Sequence, residues 1–94
     1  MSEVLFLFSC FACRRLAFAC PDCVTTVRVD PHAGLPIDLA IVDGRPVTIE
    51  PTEASRARSR PEPICDHCVR RRNDLYPERG VWMTAGERHR SAHL

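Results

Sequence analysis

The sequence predicts a small, metal-stabilised α+β domain, and three observations lead there. Its 94 residues hold six cysteines, all in Cys-x-x-Cys pairs: Cys10/Cys13, Cys20/Cys23 and Cys65/Cys68. A chain of this length makes a single domain (1–94) with a limited core, which a bound metal would reinforce. Short β-patterned runs dominate the first half, and one helical pattern follows the last cysteine pair.

The elements follow in order. Val4–Phe8 is an apolar run read as a strand entering the first pair, and Leu16–Ala19 is the strand leaving it. Cys10 and Cys13 then occupy the tip of a hairpin. Thr25–Val29 is β-branched, with Val27 and Val29 alternating against Thr26 and Arg28, the pattern of a half-buried strand. Residues 31–34 are a turn. Leu39–Val42, Asp43-Gly44 and Pro46–Ile49 form a second hairpin, because Asp-Gly suits a two-residue turn that needs positive φ at both positions. Pro46 lacks a backbone donor, which places its strand at an edge. Pro51–Pro63 contains three prolines and Arg56, Arg58 and Arg60 with little apolar content, and is expected to be a flexible loop. Val69–Tyr76 is helical, with Arg70, Arg71 and Arg72 fanning outward, and Pro77 and Gly80 end it. Thr84-Ala85-Gly86-Glu87 matches a capping box, so 84–94 is a short fraying tail helix. Trp82 is expected to anchor that tail to the core.

Composition narrows the function. The longest uncharged run, Val4–Cys13, has ten residues, about half of what a spanning helix needs. Glu3 precedes it where a secretory leader would carry basic residues. A cytoplasmic protein with reduced thiols is expected, in which paired cysteines bind metal more often than they form disulfides. All thirteen basic residues are Arg, the signature of a GC-rich genome, and the net charge is +1. Residues 54–72 carry six Arg against Glu62 and Asp66. Arg56, Arg58, Arg60, Arg70, Arg71 and Arg72 are therefore the candidate nucleic-acid contacts, although low net charge and six aromatic residues argue against a dedicated nucleic-acid binder. Solvation of a loop and a helix face explains the same arginines. A protein partner at the hairpin edge near Pro46–Ile49 is the other expectation. Neither a membrane nor a small-molecule substrate is expected. No nucleophile–base arrangement, phosphate-binding loop or carboxylate pair points to an enzyme.

Two of the three pairs complete one tetrahedral site. Four thiolates about 2.3 Å from one Zn²⁺ lie within roughly 4 Å of each other. The compact quartet Cys10, Cys13, Cys20, Cys23 requires a tight reversal through Arg14–Ala19, a segment without Gly, Pro, Asn or Asp. If Leu16–Ala19 is extended, Cys20 ends roughly 20 Å from Cys13. The long-range quartet Cys10, Cys13, Cys65, Cys68 joins a hairpin knuckle to a helix N-terminus, whose N–H groups and dipole favour thiolates. A knuckle followed, after an insertion, by Cys-x-x-Cys opening a helix is the treble-clef or zinc-ribbon arrangement. Spacing favours the long-range quartet, with residues 24–62 inserted between its halves and one zinc ion expected.

The two ends of the chain also resemble a known group. Small zinc-ribbon or treble-clef proteins of high-GC actinobacteria and their phages open with an apolar strand into Cys-x-x-Cys-Arg-Arg, as Phe6–Arg15 does here. They close with Pro-Ile-Cys-x-x-Cys-Val and an Arg- and Asn-bearing helix, as Pro63–Asn73 does. The resemblance covers about a third of the chain. It implies Cys10, Cys13, Cys65 and Cys68 as zinc ligands and assigns no biochemical role.

The middle pair stays open between three readings. Cys20 and Cys23 are plain thiols, or part of a second metal site with His32 or His67, or a redox dithiol. Cys20-Pro21-Asp22-Cys23 is similar to the glutaredoxin tetrad, but the β-branched run from Val24 offers no helix to activate Cys20. His67 is expected to face solvent or bond locally. His89 and His93 stand four apart near the end of the chain, where a pair of this spacing is usually exposed to solvent. The leading function is a non-enzymatic zinc-binding structural or interaction module, with protein or nucleic acid as partner. A thiol redox protein or sensor using Cys20/Cys23 is the alternative.

Overall fold

The computed structural model describes residues 5–32 and 34–92. Among them run seven strands and three α-helices, an α+β arrangement of small antiparallel sheets. β1 (Phe6–Ser9) and β2 (Leu16–Ala19) pair from Phe6↔Ala19 to Ser9↔Leu16, so Cys10 and Cys13 occupy the connecting tip. Val4 and His93, both named from sequence, lie outside the described residues. One side of this hairpin faces inward through Phe8 and Ala19. The other side leaves Leu5, Leu7, Leu16 and Phe18 each at least half exposed.

β3 (Thr25–Asp30) is the central strand of the second sheet, between β4 (Leu35–Pro36) and β7 (Arg60–Ile64). Thr25, Val27 and Val29 are buried, whereas Thr26 and Arg28 are exposed, as the alternation predicts. The expected hairpin is present as β5 (Ala40–Val42) and β6 (Arg45–Val47). Asp43 (φ 52°) and Gly44 (φ 75°) take the two left-handed positions of its turn.

Pro51–Pro63 is not a flexible loop. Thr52 and Ser55 form a reciprocal capping box that starts helix α1 (Glu53–Arg58), and Ser59 leads directly into β7. The prolines of β7 fit because of register. Pro61 and Pro63 stand opposite Arg28 and Thr26. The Arg28 carbonyl points the other way, accepting from Ile37 N, so the β3–β7 bonds run through the alternate residues. Both prolines therefore sit where no ladder donor is required, on an outer edge. Within the 24–62 segment, Val27, Val29 and Leu39 pack in the same cluster as Cys10, Cys65 and Cys68.

Helix α2 (Asp66–Leu75) follows the third cysteine pair, and a 3-10 turn at Pro77–Arg79 ends at Gly80. The chain then returns along α2: Asn73 Oδ1 accepts from Trp82 N (2.9 Å), and Asn73 Nδ2 donates to Trp82 O (2.8 Å). Arg72 does not fan outward with Arg70 and Arg71. It is buried, its guanidinium lies 4.1 Å from the Trp82 ring centre, and it donates to the carbonyls of Arg79 and Gly80. Burial pulls its pKa below the usual guanidinium value, against the opposing charge of Asp38. Helix α3 (Ala85–Ala92) starts with the predicted capping box. Thr84 Oγ1 accepts from Glu87 N (3.1 Å), and the Glu87 carboxylate accepts from Thr84 N (3.2 Å).

The core has two parts. The larger joins Cys10, Cys65 and Cys68 to Val27, Val29, Leu39, Ile64 and Val69, with Trp82 packed against it. The smaller joins Phe8, Ala19 and Ala85, and so seats α3 against the first hairpin. No described helix is long and apolar enough to cross a membrane.

Candidate metal centre

Local structure brings the outer cysteine pairs together. At the first tip, Cys10 N donates to Arg15 O (2.8 Å), and Arg14 N donates to Cys10 O (2.8 Å). This closes a tight turn in which Arg14 takes a left-handed φ of 66°, a conformation costing roughly 1–2 kcal/mol for a residue with a Cβ. The chain therefore adopts the knuckle without a glycine. Phe11 N donates to Pro63 O (2.9 Å), which ties the tip to the outer edge of β7 next to Ile64 and Cys65.

The second half comes from the start of α2. Cys65 is the N-cap residue, with extended backbone (φ −79°, ψ 162°), and its side chain makes no capping bond. Its thiol is thus available to the cluster, and Cys68 follows within the first helical turn. Cys10 Sγ lies 3.8 Å from Cys68 Sγ, and Cys13 Sγ lies 3.7 Å from Cys65 Sγ. All four sulfurs fall within 4.8 Å of one another. A tetrahedron with metal–sulfur bonds of about 2.3 Å has sulfur–sulfur edges of about 3.8 Å. The two short separations match that edge, and they are far too long for disulfides.

Electrostatics make the same demand. The bond from Cys68 and the surrounding backbone N–H groups push the Cys10 thiol down to about 4. The Cys10 partner is also the largest reason that Cys68 is driven up, and burial raises Cys65. One thiolate is favoured and further ones are resisted, so four thiolates here, three of them buried, would need a cation to offset their charge. Cys65 N donates to Cys10 Sγ (3.2 Å), a bond that supports negative charge on that sulfur.

The middle pair sits at a different place. Cys20-Pro21-Asp22-Cys23 makes the turn between β2 and β3, closed by Cys23 N donating to Cys20 O (2.9 Å). No helix begins there. Neither His32, in the exposed turn after β3, nor His67, exposed on α2, joins it. The imidazole that does so belongs to His89 on α3: Cys23 Sγ lies 3.8 Å from His89 Nδ1, and the three donor atoms fall within 4.8 Å of one another. Burial, with Cys20 and Asp22 nearby, raises the Cys23 thiol. Two cysteine-rich groups with metal-binding geometry are therefore present among the described residues.

Sequence reasoning passed over His89 as tail decoration. The available signal was its position one turn inside a capped helix. Asp66 supplies the rest of the explanation. Its carboxylate accepts from Ala85 N (3.0 Å) and Gly86 N (3.3 Å), so the residue after Cys65 caps α3 from outside and orients it.

The arginines are dispersed. Arg56 and Arg58 lie on α1, Arg60 pairs with Glu62 (3.1 Å), Arg70 and Arg71 are exposed on α2, and Arg72 is buried. Comparison with family models, curated proteins and solved structures gave no match. The functional reading therefore rests on the site itself.

Proposed function

We propose that the chain is a non-enzymatic structural zinc module of treble-clef type, with Cys10, Cys13, Cys65 and Cys68 as ligands of one Zn²⁺ and a protein as partner. The observation carrying this reading is the four-sulfur cluster, drawn from a hairpin tip and a helix start separated by more than fifty residues. Soft thiolates in a tetrahedral set suit zinc in a reducing compartment. Four protein ligands leave no open position for water, which suits a structural ion and no Lewis-acid step. In this reading the β1–β2 tip would serve as the knuckle and α2, with Cys65 at its N-cap, as the second half of a treble clef. The resemblance of both ends of the chain to the actinobacterial and phage zinc-ribbon proteins implies the same reading.

A protein partner is favoured over nucleic acid by what is exposed. Leu5, Leu7, Leu16 and Phe18 share the outer side of the β1–β2 hairpin, opposite Phe8 and Ala19. Such a face calls for an apolar counterpart. The arginines lie on separate elements, and the innermost of the α2 trio is committed to carbonyls of its own chain. The redox reading lacks a helix N-terminus at Cys20 to activate the thiol.

Metal analysis of paired variants tests the zinc reading. Cys10→Ser/Cys13→Ser and Cys65→Ser/Cys68→Ser should each lose the same zinc equivalent, together with native circular dichroism. Retention of that equivalent by either variant contradicts the assignment. The full chain should show no affinity for single- or double-stranded DNA at low salt. Binding that weakens steeply with added salt would replace the protein partner with a nucleic acid.

A further inference from the structure

We propose that Cys20, Cys23 and His89 hold a second zinc ion, at a site separate from the four-cysteine centre, which clamps α3 to the turn between β2 and β3. The two cysteines of one Cys-x-x-Cys are close by construction. The informative member is His89, 66 residues beyond Cys23, whose Nδ1 arrives 3.8 Å from its sulfur. Two thiols and an imidazole within 4.8 Å of one another form a borderline-soft donor set of the kind zinc takes.

The surroundings are built to bring His89 there. Thr84 caps α3 from within, and Asp66 caps it from α2. Ala85 packs against Phe8 and Ala19, and Thr25 Oγ1 donates to Met83 O (2.9 Å) just before the helix. Four contacts unrelated to metal therefore fix the helix that presents the imidazole. A depression of about 240 Å³ opens beside Cys20 and His89, bordered also by Phe18 and Arg90, so an ion has an entry path.

The order of ligands along the chain is interleaved. The first centre joins pair one to pair three, and the second joins pair two to His89. The loop closed by the first ion thus contains Cys20 and Cys23, and the loop closed by the second contains Cys65 and Cys68. The first fixes the body of the domain, and the second fixes its last helix.

The test is zinc content of the reduced full-length chain, followed during titration with a chromophoric chelator. The wild type should carry two equivalents. Cys20→Ser/Cys23→Ser should carry one. His89→Ala, which leaves both caps of α3 in place, should keep wild-type circular dichroism and release one equivalent at chelator concentrations at least about tenfold lower. Amide exchange in that variant should accelerate within 85–92 and stay unchanged in β3 and β7. A wild type with a single equivalent overturns the proposal, as does a His89→Ala variant that retains both as tightly as wild type. The four-cysteine reading depends instead on the Cys10/Cys13 and Cys65/Cys68 variants, so either centre can fail without the other.

Discussion

The tips at Cys10/Cys13 and Cys20/Cys23 have the same spacing and lie ten residues apart, yet the fold treats them differently. The first is drawn into the main core: Cys10 is fully buried, and its sulfur receives an N–H bond from Cys65. The second lies at the rim, with Cys20 half-buried and a histidine from a terminal helix as its neighbour. A Cys-x-x-Cys motif thus specifies half a site only. What meets it is decided by the strand that follows, because β2 carries the second tip away from the first. The two proposed ions would divide the labour, one holding the domain together and the other holding α3 in place.

The largest expected effect separates the two tips directly. Cys10→Ser or Cys65→Ser removes a ligand from the centre whose binding contributes about 10–16 kcal/mol in comparable structural sites. That exceeds the net stability of a small domain. Both variants should be largely unfolded by circular dichroism, whereas Cys23→Ser should remain folded. Equal unfolding of all three would erase the distinction.

Next come the side chains beneath the first centre. Leu39 is fully buried among the cysteines, Ile64 and Val69. Leu39→Ala should cost about 2–5 kcal/mol in denaturant unfolding of the zinc-loaded protein. A cost below 1 kcal/mol would mean that the metal, and not packing, carries this cluster alone.

Asp66 connects the regions, adjoining a ligand of the first centre and capping the helix of the second. Asp66→Ala should destabilise by about 1 kcal/mol, as loss of a capping carboxylate does. Its amide exchange should rise within 85–92 before it rises in α2. Uniform acceleration would make the two regions one cooperative unit.

The smallest effect is electrostatic. Backbone and side-chain bonds with Thr84 hold Glu87 below the usual carboxylate range. A depressed pKa means that the stabilisation is complete above the unfolded-state value and disappears as pH falls through the folded-state value. The difference in α3 exchange between wild type and Glu87→Gln should therefore be present at neutral pH and vanish in acid. A difference that grows on acidification would reverse the sign and exclude this role.

Much of this arrangement could be read from residues. The extended run Leu16–Ala19 argued against a compact quartet, Asp43-Gly44 marked its turn, and Thr84 with Glu87 marked the start of α3. Three features escaped for physical reasons. The prolines of β7 looked like linker chemistry, because register alone decides whether a missing N–H matters. Arg70, Arg71 and Arg72 are identical in composition, and only the returning chain at Gly80–Trp82 distinguishes the third. His89 lies on a polar helix whose position is set by Asp66 and Ala85, both invisible to local pattern.

The central claim is that a zinc ion shared by the outermost cysteine pairs holds the domain in its fold. Circular dichroism of the full chain during removal of zinc by a strong chelator under reducing conditions, and its return on adding zinc, tests this most directly. The account predicts collapse of the native spectrum on chelation and recovery with zinc. A metal-free sample that keeps its native spectrum would contradict it.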